Sequence, residues 1–206
     1  MLKNKKKTEC FPLSCAFVIV VIFSLMVIYL LYTNYKLENE MDMLKTILSI
    51  NLDSARVSSI SQKADSYYEL ANRAYEYQDY KNVEYNCKIA RDYYHEASLG
   101  YLELKTKLKG NDTLIKKYKN VLDLLSEIQL NMYEACEHFE SASRYYDIYY
   151  NTNVSVYDNS YYMGGQEIDA MNEKIKLHDE NVKKYNNLVS EISKELEKMI
   201  KWKQKK

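Results

Sequence analysis

Apolar positions recur along this chain at alternating steps of three and four. From 80 the stripe reads Tyr80, Val83, Cys87, Ala90, Tyr94, Ala97, Tyr101, Leu104, Leu108. From 114 it reads Leu114, Tyr118, Val121, Leu125, Ile128, Met132, Ala135, Phe139, Ala142, Tyr146, Tyr149. A third runs Ile168, Met171, Ile175, His178, Val182, Tyr185, Val189, Ile192, Leu196, Met199, and a shorter one Val57, Ile60, Ala64, Tyr67, Ala71, Ala74. Seams with a period of about 3.5 residues indicate long helices in coiled-coil-like packing, not strands. The pattern predicts an all-α chain, an antiparallel up-down four-helix bundle at 57–206. Its helices are expected at about 57–77, 80–109, 112–150 and 166–203. Upstream, Leu37, Met41, Leu44 and Leu48 form a short seam in a predicted stalk at 33–56. Phase is lost in "SINLDSARVSS", which reads as a bend or stutter at 49–56.

Residues 11–32, "FPLSCAFVIVVIFSLMVIYLLY", carry no charge. Helical, they extend about 33 Å, enough for a hydrocarbon core about 30 Å thick. A transmembrane helix is therefore expected at 11–32, behind a basic tail at 1–10 with Lys3, Lys5, Lys6 and Lys7. The run is longer than a signal-peptide core and no small-residue cleavage site follows it, so it reads as an uncleaved anchor. Lysine bias places the tail in the cytoplasm and the bundle outside it, at the cell membrane, single-pass.

The connections carry turn chemistry. "YQDY" at 77–80 makes the first turn, with Asp79 as N-cap of the next helix. Gly110-Asn-Asp makes the second, with Gly110 supplying a left-handed residue at a helix C-terminus. Folding the chain back at Asn111 sets Leu108 on Leu114, Tyr101 on Val121, Tyr94 on Ile128, Ala90 on Met132 and Val83 on Phe139. Cys87 then faces Ala135, beside Cys136. That makes Cys87 and Cys136 a candidate disulfide, one residue out of register, on the oxidising side of the membrane. The third connection is a long loop at 151–165 closed by Gly164 and Gly165. Its Tyr157, Tyr161 and Tyr162 are the candidate partner-binding residues, since rigid tyrosines on loops suit recognition.

Charge adds a polarity. The 29 basic and 29 acidic side chains cancel, which removes the electrostatic footprint of a nucleic-acid binder, and no nucleic-acid partner is expected. Locally, 134–173 sets eight carboxylates against Arg144 alone, whereas 100–119 sets six lysines against Glu103 and Asp112. In an up-down bundle the 106–119 turn and the C-terminal "KMIKWKQKK" share the membrane-proximal end. Lys116, Lys117, Lys119, Lys201, Trp202 and Lys203 are thus candidate membrane-surface contacts. Composition also stands out for 22 tyrosines against four phenylalanines, and tyrosine suits half-buried faces.

Residues 70–90, "LANRAYEYQDYKNVEYNCKIA", resemble one tetratricopeptide hairpin at Leu70, Ala71, Asp79, Tyr80 and Ala90. Val83 and Cys87 depart from that pattern and no copy follows at its repeat spacing of about 34 residues, so no repeat array is assigned. Phosphate loops, HExxH and Cys-x-x-Cys pairs are absent from the sequence. His95 and His138 do not converge in the predicted register, and only fragments of a di-metal carboxylate set are present. No cofactor, metal site or catalysis is expected. Asn111 and Asn153 begin glycosylation-acceptor triplets, and Cys10 and Cys15 flank the membrane where acylation occurs. The expected function is a membrane-anchored, non-catalytic module that binds a protein partner, self-associates or holds an envelope assembly. The alternative is a sensory ligand-binding bundle working with another membrane protein.

Overall fold

The computed structural model describes residues 13–110, 112–151 and 157–204, with side chains described from Ser24 and excluding 157, 158 and 199–204. Four helices account for nearly all of it: α1 (Leu13–Glu76), α2 (Tyr80–Lys107), α3 (Thr113–Asn151) and α4 (Tyr157–Gln204). By contact density the chain forms two compact units, Met1–Leu48 and Ser49–Lys206.

In the first unit the helix exposes most of its described large apolar side chains, Ile47 being buried. Leu25, Met26, Val27, Ile28, Tyr29, Leu30, Leu31 and Tyr32 are all exposed, as are Leu37, Met41, Leu44 and Leu48 of the predicted stalk seam. Among the described residues no helix is long and apolar enough to cross a membrane. Residues 11–23 of the predicted span lie outside the residues whose side chains are described.

The second unit packs four helices against one another in alternating directions. At one end Lys107 of α2 meets Asp53 of α1 at 3.1 Å and Lys117 of α3 meets Glu195 of α4 at 2.5 Å. At the other end Tyr75 of α1, Tyr80 of α2, Tyr146 of α3 and Tyr161 of α4 form one chain of ring contacts. The core between them is the one that periodicity predicts. Every predicted α2 seam residue, from Tyr80 to Leu108, is buried. Val83, Cys87, Ala90 and Tyr94 cluster with Met132, Ala135, Cys136 and Phe139, completed by Ala64, Ala71 and Met171. The hydroxyls of Ser98 and Ser126 lie 2.8 Å apart between α2 and α3, within two residues of the predicted pairing.

Three expectations are corrected. The buried face of α1 begins before 57: the helix runs unbroken through 49–56, where Ile50 is buried and Ser54 half-buried, one position out of phase with the exposed seam residues Leu44 and Leu48. The predicted stalk boundary overlooked this because a serine in a seam position reads as a gap. Helix α2 ends at Lys107 and Leu108 is already extended, so Gly110 (φ 103) serves the turn itself, not the helix cap. The third connection is shorter than expected, because α4 starts at Tyr157 and carries Gly164 and Gly165 inside it. By contrast, Asp79 caps α2 as expected, accepting from the Asn82 amide at 3.3 Å.

Burial is uneven among the helices. Helix α3 buries a second row, Ile115, Leu122, Ser126, Gln129, Cys136, Glu140 and Ser143, beside its predicted seam. It packs against both α2 and α4. Among the described seam residues of α4, Met171 and Ile192 are fully buried, while Ile175, His178, Val182, Tyr185 and Val189 are half-buried. Several polar groups enter the interior as hydrogen-bonded pairs, the arrangement that burial favours. Tyr94 donates to Asp65 at 2.7 Å, Ser61 to Gln129 at 2.8 Å, and Asn181 to Glu127 at 3.3 Å.

Candidate functional site

The tyrosines collect where α1 ends, α2 begins, α3 ends and α4 begins. Tyr80 and Tyr146 are the buried floor of this site, with ring centroids 5.7 Å apart. Tyr75 leans on both and on Phe139, the last at 5.3 Å. Tyr150 stacks on Tyr80 at 5.7 Å with ring planes 8° apart, and Tyr149 and Tyr161 close the far side at 5.0 Å. Around this floor stand exposed rings: Tyr77 (83%), Tyr162 (64%), Tyr161 (53%) and Tyr150 (50%). Edge and tilted geometries dominate, the arrangements that the aromatic quadrupole favours.

Gly164 explains how α4 reaches the cluster. A Cβ there would stand 2.9 Å from Cε1 of Tyr146, so only glycine admits the ring against the α4 backbone. Gly165, next along the same helix, faces open space. These neighbours therefore respond oppositely to alanine. Gly165→Ala should stabilise by about 0.5–1 kcal/mol through helix propensity alone. Gly164→Ala gains the same propensity but forces a wedged ring aside, at about 1–3 kcal/mol, and should lower stability. Thermal unfolding of the two variants checks this; equal gains would place Tyr146 off α4.

The site's electrostatics are acidic and neutral-phenol. Burial, and then Tyr150, push the Tyr80 hydroxyl up to about 12, and burial with Tyr75 pushes Tyr146 up as well. Both phenols therefore stay protonated well into the alkaline range. On this flank Arg144 is engaged, holding Glu84 at 2.8 Å and also Glu140. Beyond the rings, Asp147 accepts from Asn151 at 2.6 Å, and His138 Nδ1 lies 2.6 Å from Glu167. Lys174 meets Glu134 at 2.5 Å.

The other predicted sites fall as follows. Tyr161 and Tyr162 stand on the first turns of α4, not on a loop, and the side chain of Tyr157 lies outside the described residues. Cys87 and Cys136 are both free thiols, buried side by side in the core. Lys117 is committed to Glu195 and Glu191, and Lys119 reaches the Gly110 carbonyl at 3.3 Å, while Lys116 is exposed. The side chains of Lys201, Trp202 and Lys203 lie outside the described residues, as do Asn111 and Asn153. Among the described residues no group of three or more His, Cys, Asp or Glu is placed to hold a metal ion. His178 touches Asp179 at 3.1 Å at the edge of α4.

Sequence reasoning missed the floor of the tyrosine site. Tyr80 and Tyr146 were legible only as core positions, and Tyr75 and Tyr150 fell off every seam. The signal that finds them is the concentration of tyrosine near four helix ends that an up-down topology brings together. At the opposite end a cleft of about 230 Å³ opens between α1, α3 and α4, lined by Ile50, Val121, Leu125, Val189, Ile192 and Leu196 among others. Comparison of the chain with protein-family models, curated proteins and solved structures finds no match.

Proposed function

We propose that this chain is a membrane-anchored, non-catalytic interaction module that presents a tyrosine-lined end to a protein partner. The observation that carries the reading is the four exposed tyrosines standing on a packed aromatic floor at the bundle end. Rings fixed by their neighbours lose little entropy on contact, which is why tyrosine dominates recognition surfaces. The acidic surplus of 134–173 selects among partners: a segment rich in arginine or lysine gains both charge pairing and cation–ring contact. The anchor rests on the uncharged run 11–32 and on the exposed apolar surface of α1 from Leu25 to Tyr32, of a kind that soluble surfaces avoid. Lysines 3, 5, 6 and 7 favour a cytoplasmic tail and an extracytoplasmic bundle.

Two measurements on the full chain test the reading. With Cys10 and Cys15 replaced by serine, Tyr77→Cys offers an exposed thiol for a reagent that does not cross membranes. Labelling in intact cells supports the orientation; labelling only after lysis overturns it. A photo-crosslinker at Tyr162 should capture one protein, with capture lost in Tyr150→Ala and at high salt while helicity is unchanged. Equal capture from a crosslinker at Lys116, at the other end, would remove the tyrosine end from consideration.

The cleft lined by Ile50 and Ile192 favours a second reading, a sensory bundle that binds a small apolar ligand. It exceeds the roughly 150 Å³ that admits benzene to an engineered cavity. A ligand that raises the unfolding temperature of the detergent-solubilised chain, and does so no longer after Leu125→Trp fills the cleft, would decide for it.

A further inference from the structure

Cys87 and Cys136 meet in the middle of the bundle, and nothing in the proposed function uses them. Both are wholly buried free thiols in one core cluster, Cys87 on α2 and Cys136 on α3. Ala90 and Ala135, also without exposure, flank the pair and let the two backbones approach. That matters because a bridge needs Cα atoms within roughly 4.4–6.8 Å, inside ordinary helix spacing of about 8–10 Å.

The surroundings seal the pair. Tyr68 packs edge-on to Phe139 at 6.2 Å, and Phe139 belongs to the same buried cluster as both thiols. Glu140 lies one turn beyond Cys136 with its carboxylate buried. The hydrogen bond to Cys136, burial and the Glu140 charge all push the Cys87 thiol far above its ordinary range. Thiol–disulfide exchange requires a thiolate and an open line of attack on sulfur. The closed bundle offers neither.

We propose that Cys87 and Cys136 join in a disulfide while the α2–α3 hairpin is still open, and that closure of the bundle then fixes whichever redox state they carry. The oxidant is a small-molecule disulfide such as oxidised glutathione. The thiolate of one cysteine attacks a glutathione sulfur, forming a mixed disulfide and expelling one glutathione thiolate. The thiolate of the other attacks the protein sulfur of that mixed disulfide, closing the bridge and expelling the second. Two cysteines are oxidised, one glutathione disulfide is reduced to two thiols, and the two cysteine protons leave with them. Reduced and bridged bundles then interconvert only through opening, so the pair records the redox conditions met during folding. The inference is independent of the membrane reading, because the same chemistry proceeds in a test tube.

The experiment uses the full chain with Cys10→Ser and Cys15→Ser, in detergent. Denatured, reduced protein is refolded with oxidised glutathione, and folded, reduced protein is incubated with the same reagent. Peptide mass analysis should find Cys87 linked to Cys136 in the first sample, and free thiols in the second over the same period. Bridged protein should show a folded-to-unfolded ratio higher by roughly two to three powers of ten than the reduced form. Cys136→Ala, refolded the same way, should end as a glutathione adduct on Cys87, which shows that the unfolded thiol is competent. Free thiols or two separate adducts after refolding would overturn the bridge. Equally fast bridging from the folded state would overturn the lock.

Discussion

Raising the pH from about 10 to 12 should unfold the bundle cooperatively, with a burst of tyrosinate absorbance as helicity falls. Burial pushes the hydroxyls of Tyr68 and Tyr101 up to about 12, with lesser contributions from the two thiols at Tyr68 and from Tyr185 at Tyr101. Burial and the Asp65 carboxylate raise Tyr94 as well. An unfolded tyrosine titrates near 10, so between the two values the folded chain holds protons that the unfolded chain has released. Stability therefore falls with rising pH through that window and is untouched below it. A shift of about two units corresponds to about 2.7 kcal/mol, so Tyr68 and Tyr101 together remove about 5 kcal/mol. Typical domains have only about 5–15 kcal/mol to lose. Tyr101→Phe should widen the stable range upward. Smooth tyrosinate formation near pH 10 with helicity unchanged at 12 would show that these phenols are solvated.

Arg91→Met should be among the most damaging single substitutions, although Arg91 lies off every apolar seam. Its target is Glu140, whose side chain is 6% exposed. Arg144 bonds Oε1, and Arg91 Nη1 stands 3.0 Å from Oε2 but misaligned for a hydrogen bond, leaving Oε2 otherwise without a partner. Removing one partner of a buried ion pair typically costs about 3–5 kcal/mol, because the remaining charge stays buried. Arg144 survives here, so a loss of about 2–3 kcal/mol is expected. Replacing both, as Arg91→Met with Glu140→Leu, should return to within about 1 kcal/mol of the native chain, since paired apolar replacements are often neutral. Urea unfolding of the two single variants and the double variant measures the coupling. Strictly additive losses would mean that Arg91 and Glu140 do not sense each other.

Much of the helical order was legible before any coordinates. A seven-residue repeat is a local property: residues three and four apart share a face whatever lies opposite. That is why the α2 seam from Tyr80 to Leu108 matches burial at every position, and why Asp79 caps its helix. The antiparallel pairing of α2 and α3 followed from the short turn at Gly110, which leaves few registers open.

What the tertiary structure alone decided concerns residues whose role depends on a partner far along the chain. Ser126, Gln129 and Glu140 stand off the seam that periodicity predicts, yet Ser98 and Ser61 bond the first two inside and Arg91 and Arg144 pair with the third. Burial of a polar group is favourable only when that partner arrives, and periodicity carries no information about arrival. Gly164 read as a loop closer for the same reason, since the ring it admits belongs to Tyr146 on another helix. The tyrosine floor likewise exists only because four helix ends meet. The sequence by itself determined which faces are apolar; which polar groups join them was settled by contacts between helices.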